Sequence, residues 1–157
     1  MKAPLITTLV ALALLAATAA AAEQTREGYV AAVEPICKTN KQSSDRLLKP
    51  VKGLVKQDKL KQAATAFAKA ATALERAQKQ LAAVPQPPAD AARLSQWLAK
   101  IKGEVALMRT ISTKFRQGKK GPASSLAVKL QNNATKANNL VIAFQFNYCK
   151  IDPTKYT

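Results

Sequence analysis

Leu60, Phe67, Leu74 and Leu81 stand seven residues apart, with Ala63, Ala70 and Ala77 between them. At 3.6 residues per turn this spacing lays all seven side chains along one face of a helix. A strand, whose side chains alternate with period two, does not satisfy it. Alanine fills much of the rest of the segment and has the highest helix propensity. Val84 then meets Pro85-Gln-Pro-Pro88, which stops the helix and makes a stiff connection.

The rest of the chain follows the same period. Leu94, Trp97, Leu98, Ile101, Val105, Met108, Ile111 and Phe115 form the stripe of a helix predicted from Pro88 to about Gln117, capped by Gly118. Another helix is predicted to open at Pro122. Its face is Leu126, Leu130, Ala134, Ala137, Val141, Phe144 and Tyr148, and Asp152-Pro153 ends it. The first helix is expected from Ile36, with Pro35 in its first turn. Its buried stripe would be Ile36, Asn40, Ser43, Leu47, Val51 and Leu54, with a kink or break at Pro50 and Gly53. Residues 23–35 are expected as a separate segment, a short helix or flexible. Short turns join the first helix to the second and the third to the fourth. The expectation is an all-α antiparallel four-helix bundle of two hairpins over residues 36–149, with a tail at 150–157.

Residues 1–22 carry Lys2, an apolar run from Leu9 to Ala17, and Ala20 and Ala22 just before Glu23. That is the anatomy of a secretory signal peptide cleaved near Ala22. The run is short of the roughly 20 residues a membrane span needs. Export places the two cysteines, Cys37 and Cys149, in an oxidising compartment where they are expected to pair. A bridge between them closes nearly the whole domain, worth on the order of 4–5 kcal/mol in the chain-entropy picture. In an up-down-up-down bundle the start of the first helix and the end of the last lie at one end, as a disulfide requires.

The chain has no histidine, which excludes a His-based triad, a His general base and His metal or haem ligands. It has no Gly-rich phosphate loop, no G-x-S-x-G and no S-x-x-K. Its carboxylates are scattered, and Glu27 and Glu34 alone share a helical face near the N-terminal end. Neither an enzymatic role nor a bound metal or cofactor is expected.

Charge says more. Twenty-five Lys and Arg against nine Asp and Glu give a net +16 on 157 residues, and +15 once the leader takes Lys2 away. That is well beyond the range of about 2–8 that keeps a small domain in solution, and the excess repels itself. On an unbroken first helix Lys38, Lys41, Lys49, Lys52 and Lys56 lie within about 40° of one line, with Asp45 the only acid among them. Lys59, Lys61, Lys114, Arg116, Lys119 and Lys120 gather at the two hairpin turns, at one end of the bundle. An anionic partner is the expectation. Export favours an envelope polymer or lipid headgroups, with nucleic acid held non-specifically in vitro only. Lysines outnumber arginines, which suits diffuse attraction over bidentate recognition.

A second reading makes the chain a carrier of a small apolar ligand or lipid. Ala63, Ala64, Ala70, Ala71 and Ala77 either let helices approach closely or leave a cavity between them. A purely structural role is the third. Asn40 and Asn147 fall near each other in the register set by the cysteines, as a buried amide pair. Asn133 and Asn138 border the apolar stripe, and Asn133-Ala-Thr135 is a formal glycosylation sequon. Val55-Lys-Gln-Asp-Lys59 resembles Phe115-Arg-Gln-Gly-Lys119 at an offset of 60 residues, a faint internal repeat.

The Ala-rich leader, Glu34-Pro-Ile-Cys37, Ala83-Val-Pro85-Gln-Pro-Pro88-Ala-Asp90 and Phe144-x-Phe146-x-Tyr148-Cys149 before Asp152-Pro153 resemble small exported all-helical bacterial proteins with one terminal-to-terminal disulfide. The resemblance covers the chain from about Val33. It implies a Cys37–Cys149 bridge and a bacterial envelope or extracellular setting. No activity is known for such proteins, so no functional residue is carried over. Cytochrome b562-like and cytochrome c′-like bundles share only the architecture, since this chain lacks their haem ligands.

Overall fold

The computed structural model describes residues 23–152. The leader read in residues 1–22, and residues 153–157 of the tail, lie outside the described residues. Every regular element among the described residues is helical: α1 (Arg26–Leu48), α2 (Val51–Lys56), α3 (Leu60–Ala82), α4 (Ala91–Arg116) and α5 (Lys120–Leu140), with single 3-10 turns at Pro88–Asp90 and Ile142–Phe144. α1 and α2 together make the first rod of a four-helix bundle, interrupted at Lys49-Pro50 where the sequence predicts a kink or break.

The first rod starts ten residues earlier than expected, at Arg26 rather than Ile36, and residues 26–35 are its first turns. Pro35 sits inside α1. The backbone bond it forfeits is offset by burial of Tyr29 and Val33, both fully enclosed. Thr25 caps the helix by accepting from the Gly28 N–H at 3.0 Å. Arg26 donates to both carboxylate oxygens of Asp90 at 2.9 Å, tying the start of α1 to the start of α4. The buried stripe is also rotated from the expected one. It runs Tyr29, Val33, Cys37, Ser44, Leu48 and Val51, while Ile36, Asn40, Ser43, Leu47 and Leu54 are half-buried at its edge. Cys37 sets the rotation, because its sulfur must face the far end of the chain.

α3 and α4 follow the sequence closely. All eight residues of the predicted α4 stripe are buried. Ala63, Ala64, Ala70 and Ala71 have no exposure, and the Ser112 hydroxyl of α4 reaches across to donate to the Ala64 carbonyl at 2.8 Å. The alanine face is therefore used for close approach.

The hairpin turns after α2 and α4 are one motif used twice. Asp58 (φ 56°) and Gly118 (φ 71°) both take the left-handed conformation. The following Lys59 and Lys119 N–H groups donate five residues back, to Leu54 at 2.8 Å and Lys114 at 2.9 Å. This is the helix-ending loop described for glycine C-caps. The 60-residue repeat falls on these two turns.

The last helix departs most from expectation. α5 opens at Lys120, two residues before Pro122, and stops at Leu140 instead of running to Tyr148. A 3-10 turn and a left-handed Gln145 (φ 51°) then release a strap that runs back along the bundle to Asp152. Aromatic packing explains the early stop. Phe144 and Phe146 stack at 5.3 Å, Phe146 lies 5.6 Å from Trp97, and Phe144 lies 6.0 Å from Tyr29. A helix cannot bury residues 144 and 146 on one face. Tyr148 points outward. Cys149, though not helical, still reaches Cys37: the disulfide forms across 4.9 Å between Cα atoms and 112 residues of sequence.

Three further contacts fasten the strap. The Glu34 carboxylate accepts the backbone N–H groups of Asn147 (2.9 Å) and Tyr148 (3.0 Å). Asn138 exchanges two hydrogen bonds with the Ile151 backbone, at 2.6 and 2.9 Å. Lys38 lies 5.3 Å above the Tyr148 ring.

Candidate functional site

α3 and α4 are the inner pair of the bundle, with α5 packed on α4 and α1 and α2 on α3. The side between the first rod and α5 is the least closely packed. The strap and its disulfide bridge this seam at one end. Two hollows lie along it, both floored by α3 and α4.

The first hollow sits under the disulfide. It is a chamber of about 60 Å³ walled by Leu74, Ala77, Leu81, Met108, Leu130 and Ala134, with Asn40, Ser44 and Glu104 as its inner polar residues. It has room for a few waters. Glu104 is buried, and burial pushes its carboxyl up to about 8. One hydrogen bond opposes that shift, from Asn133 Nδ2 at 3.3 Å; the same nitrogen also donates to the Lys100 carbonyl at 2.9 Å. At neutral pH Glu104 is therefore mostly protonated. The expected amide pair is not formed. Asn147 is exposed and bonded through its backbone to Glu34, and Asn40 Oδ1 is buried without a partner.

The second hollow lies nearer the hairpin turns, between α2 and α5. It is a cleft of about 400 Å³, within the usual size of small-ligand sites. Phe67 of α3 and Phe115 of α4 line it, with Leu48, Val51 and Val55 from the first rod and Ala127 and Val128 from α5. Lys49, Lys52 and Lys56 line the first-rod side, Ser124 lines the α5 side, and among the described residues no acidic one lines it. Val128 is 51% exposed, so apolar surface continues out of the cleft.

The break at Pro50 divides the predicted lysine stripe. Lys38 and Lys41 stay at the disulfide end, where Lys41 pairs with Asp45 at 3.9 Å and lines the chamber. Lys49, Lys52 and Lys56 are brought to the cleft. At the turn end Lys59, Lys61 and Arg116 share a shallow hollow with Asp58. Lys114 is half-buried near the end of α4, and Lys119 and Lys120 are exposed at the start of α5.

The chamber does not touch Ala63, Ala64, Ala70 or Ala71, and neither does the cleft; only Ala77 of the alanine face reaches the chamber. Sequence reasoning passed over Glu104. Its signal was present: Trp97, Glu104 and Ile111 stand seven apart, so a carboxyl occupies a seam position. Glu34, read as one of two acids near a loose end, is the acceptor that fastens the strap. Among the described residues no group of three or more His, Cys, Asp and Glu is placed to hold a metal ion. Among them, too, no helix is long and apolar enough to cross a membrane.

No protein-family profile, no curated protein and no solved structure matches the chain.

Proposed function

We propose that this is an exported, non-enzymatic protein that binds anionic lipid headgroups at the surface of a membrane through the α2 side of its seam. The observation that carries this reading is the α2–α5 cleft: Lys49, Lys52 and Lys56 beside the exposed apolar Val128, with no acid among the described lining residues. A basic rim beside an apolar face is what an interfacial surface presents to anionic lipid. The lysines at the adjoining turns extend the same field. The disulfide fits the oxidising compartment that the leader implies. An anionic envelope polymer would meet the same lysines but has no use for the apolar cleft, so lipid is preferred.

Co-sedimentation with vesicles tests the reading. Phosphatidylglycerol vesicles are expected to retain the protein at low salt and release it as salt rises, and phosphatidylcholine vesicles to leave it free. Substituting Lys49, Lys52 and Lys56 together by Glu is expected to abolish retention while the helical circular dichroism stays unchanged. Retention that ignores salt, or that survives the triple substitution, contradicts it.

A further inference from the structure

We infer that the α2–α5 cleft takes up the acyl chain of a single-chain anionic lipid, so that the protein binds such a molecule as a monomer as well as docking on a surface. This rests on the surface reading for the role of the lysines, but the cleft itself carries it. Surface binding needs lysines beside exposed apolar surface such as Val128, but no hollow behind them. Here the lysines stand beside a hollow of about 400 Å³. Phe67 and Phe115 line it from the central helices, Val51 and Val55 from α2, and Ala127 and Val128 from α5. The deep wall is sheltered, with Phe67 at 1% and Phe115 at 5% exposure, while Val128 at 51% leaves apolar surface at the mouth that is costly until something apolar covers it.

The occupant follows from the chemistry of wall and rim. The wall lacks acidic groups, and its polar contribution apart from the lysines is Ser124, so the buried part of a ligand is hydrocarbon. Lys49, Lys52 and Lys56 stand at the rim and no acid is among its described lining residues, so the head that suits it is an anion. Lysines, as flexible point charges, hold a carboxylate without demanding one orientation. The cleft is open along the seam, and a chain enters sideways with its head left at the α2 edge. The alanine face of α3, where the sequence pointed to a carrier's cavity, is closed by helix packing. The available space lies one helix away.

Titration calorimetry with dodecanoate, below its micelle concentration, tests the inference on the intact disulfide-bonded protein. One molecule is expected to bind per chain. Dodecanol is expected to bind more weakly and dodecyltrimethylammonium not to bind. Ala127→Trp fills the cleft without touching a charge, and Val128→Trp does so from a more exposed position. Each is expected to weaken dodecanoate by about tenfold or more while the helical circular dichroism stays unchanged. No dodecanoate binding by the parent protein overturns the inference, and if vesicles still retain it the surface reading stands alone. Equal binding of the ammonium amphiphile overturns it, as does dodecanoate binding unaffected by both tryptophan variants.

Discussion

Glu104 is the side chain whose position and chemistry disagree most. The heptad gives it a seam place between Trp97 and Ile111, and burial then keeps its proton on. An ordinary glutamate titrates near 4.5, and this one near 8. Between those values the folded chain holds a proton that the unfolded chain has lost. The contribution of Glu104 to stability is therefore fully present below the lower value, falls as pH rises through the window, and is flat above it. By pH 7 the loss is on the order of 3 kcal/mol. Glu104→Gln is expected to be nearly neutral at pH 4.5 and stabilising by that order at pH 7, read from urea midpoints; a variant effect independent of pH contradicts the assignment. The turn residues make a second pair. Asp58 and Gly118 hold the same left-handed backbone, and nothing crowds a Cβ at Gly118. Asp58→Gly is expected to raise stability by about 0.5–1 kcal/mol and Gly118→Ala to lower it by about 1 kcal/mol. Thermal unfolding of the two variants checks both signs.

At the scale of elements, legibility followed local periodicity. α3 and α4 were readable because each buries one face of an uninterrupted helix, and Pro85-Gln-Pro-Pro88 marks the boundary between them. The break at Pro50 was readable from proline's missing donor. The end of α5 was not. Phe144 and Tyr148 continue the helical phase, and nothing local says that Phe146 must be buried too. That follows from Trp97, almost fifty residues away in sequence, which Phe146 covers. The start of α1 was hidden in the same way: Pro35 reads as a first-turn residue, and burial of Tyr29 and Val33 against the rest of the fold overrides it. The pairing of Cys37 with Cys149 survived these errors because it depends on which end of the bundle each occupies, and a strap reaches that end as well as a helix does. Replacing both cysteines by serine is expected to cost about 4 kcal/mol in unfolding free energy. A loss below about 1 kcal/mol, within the range of ordinary surface changes, would mean that Glu34 and Asn138 alone hold the strap.

At the scale of the molecule, the loosely packed side and the basic charge coincide. A four-helix bundle with equal packing on all sides would have no seam. Here the first rod breaks at Pro50, and Lys49 at the end of α1 with Lys52 and Lys56 of α2 stand at the edge of the resulting cleft. The sequence showed the lysines and their excess, but the cleft depends on how α2 and α5 stand apart over Phe67 and Phe115, which no local pattern records. Amide hydrogen exchange with and without phosphatidylglycerol vesicles tests this placement most directly. A seam that meets lipid gives new protection over residues 48–56 and 124–128 and leaves the strap and the Glu104 chamber unchanged. Protection confined to the disulfide end, or spread evenly over the helices, contradicts it.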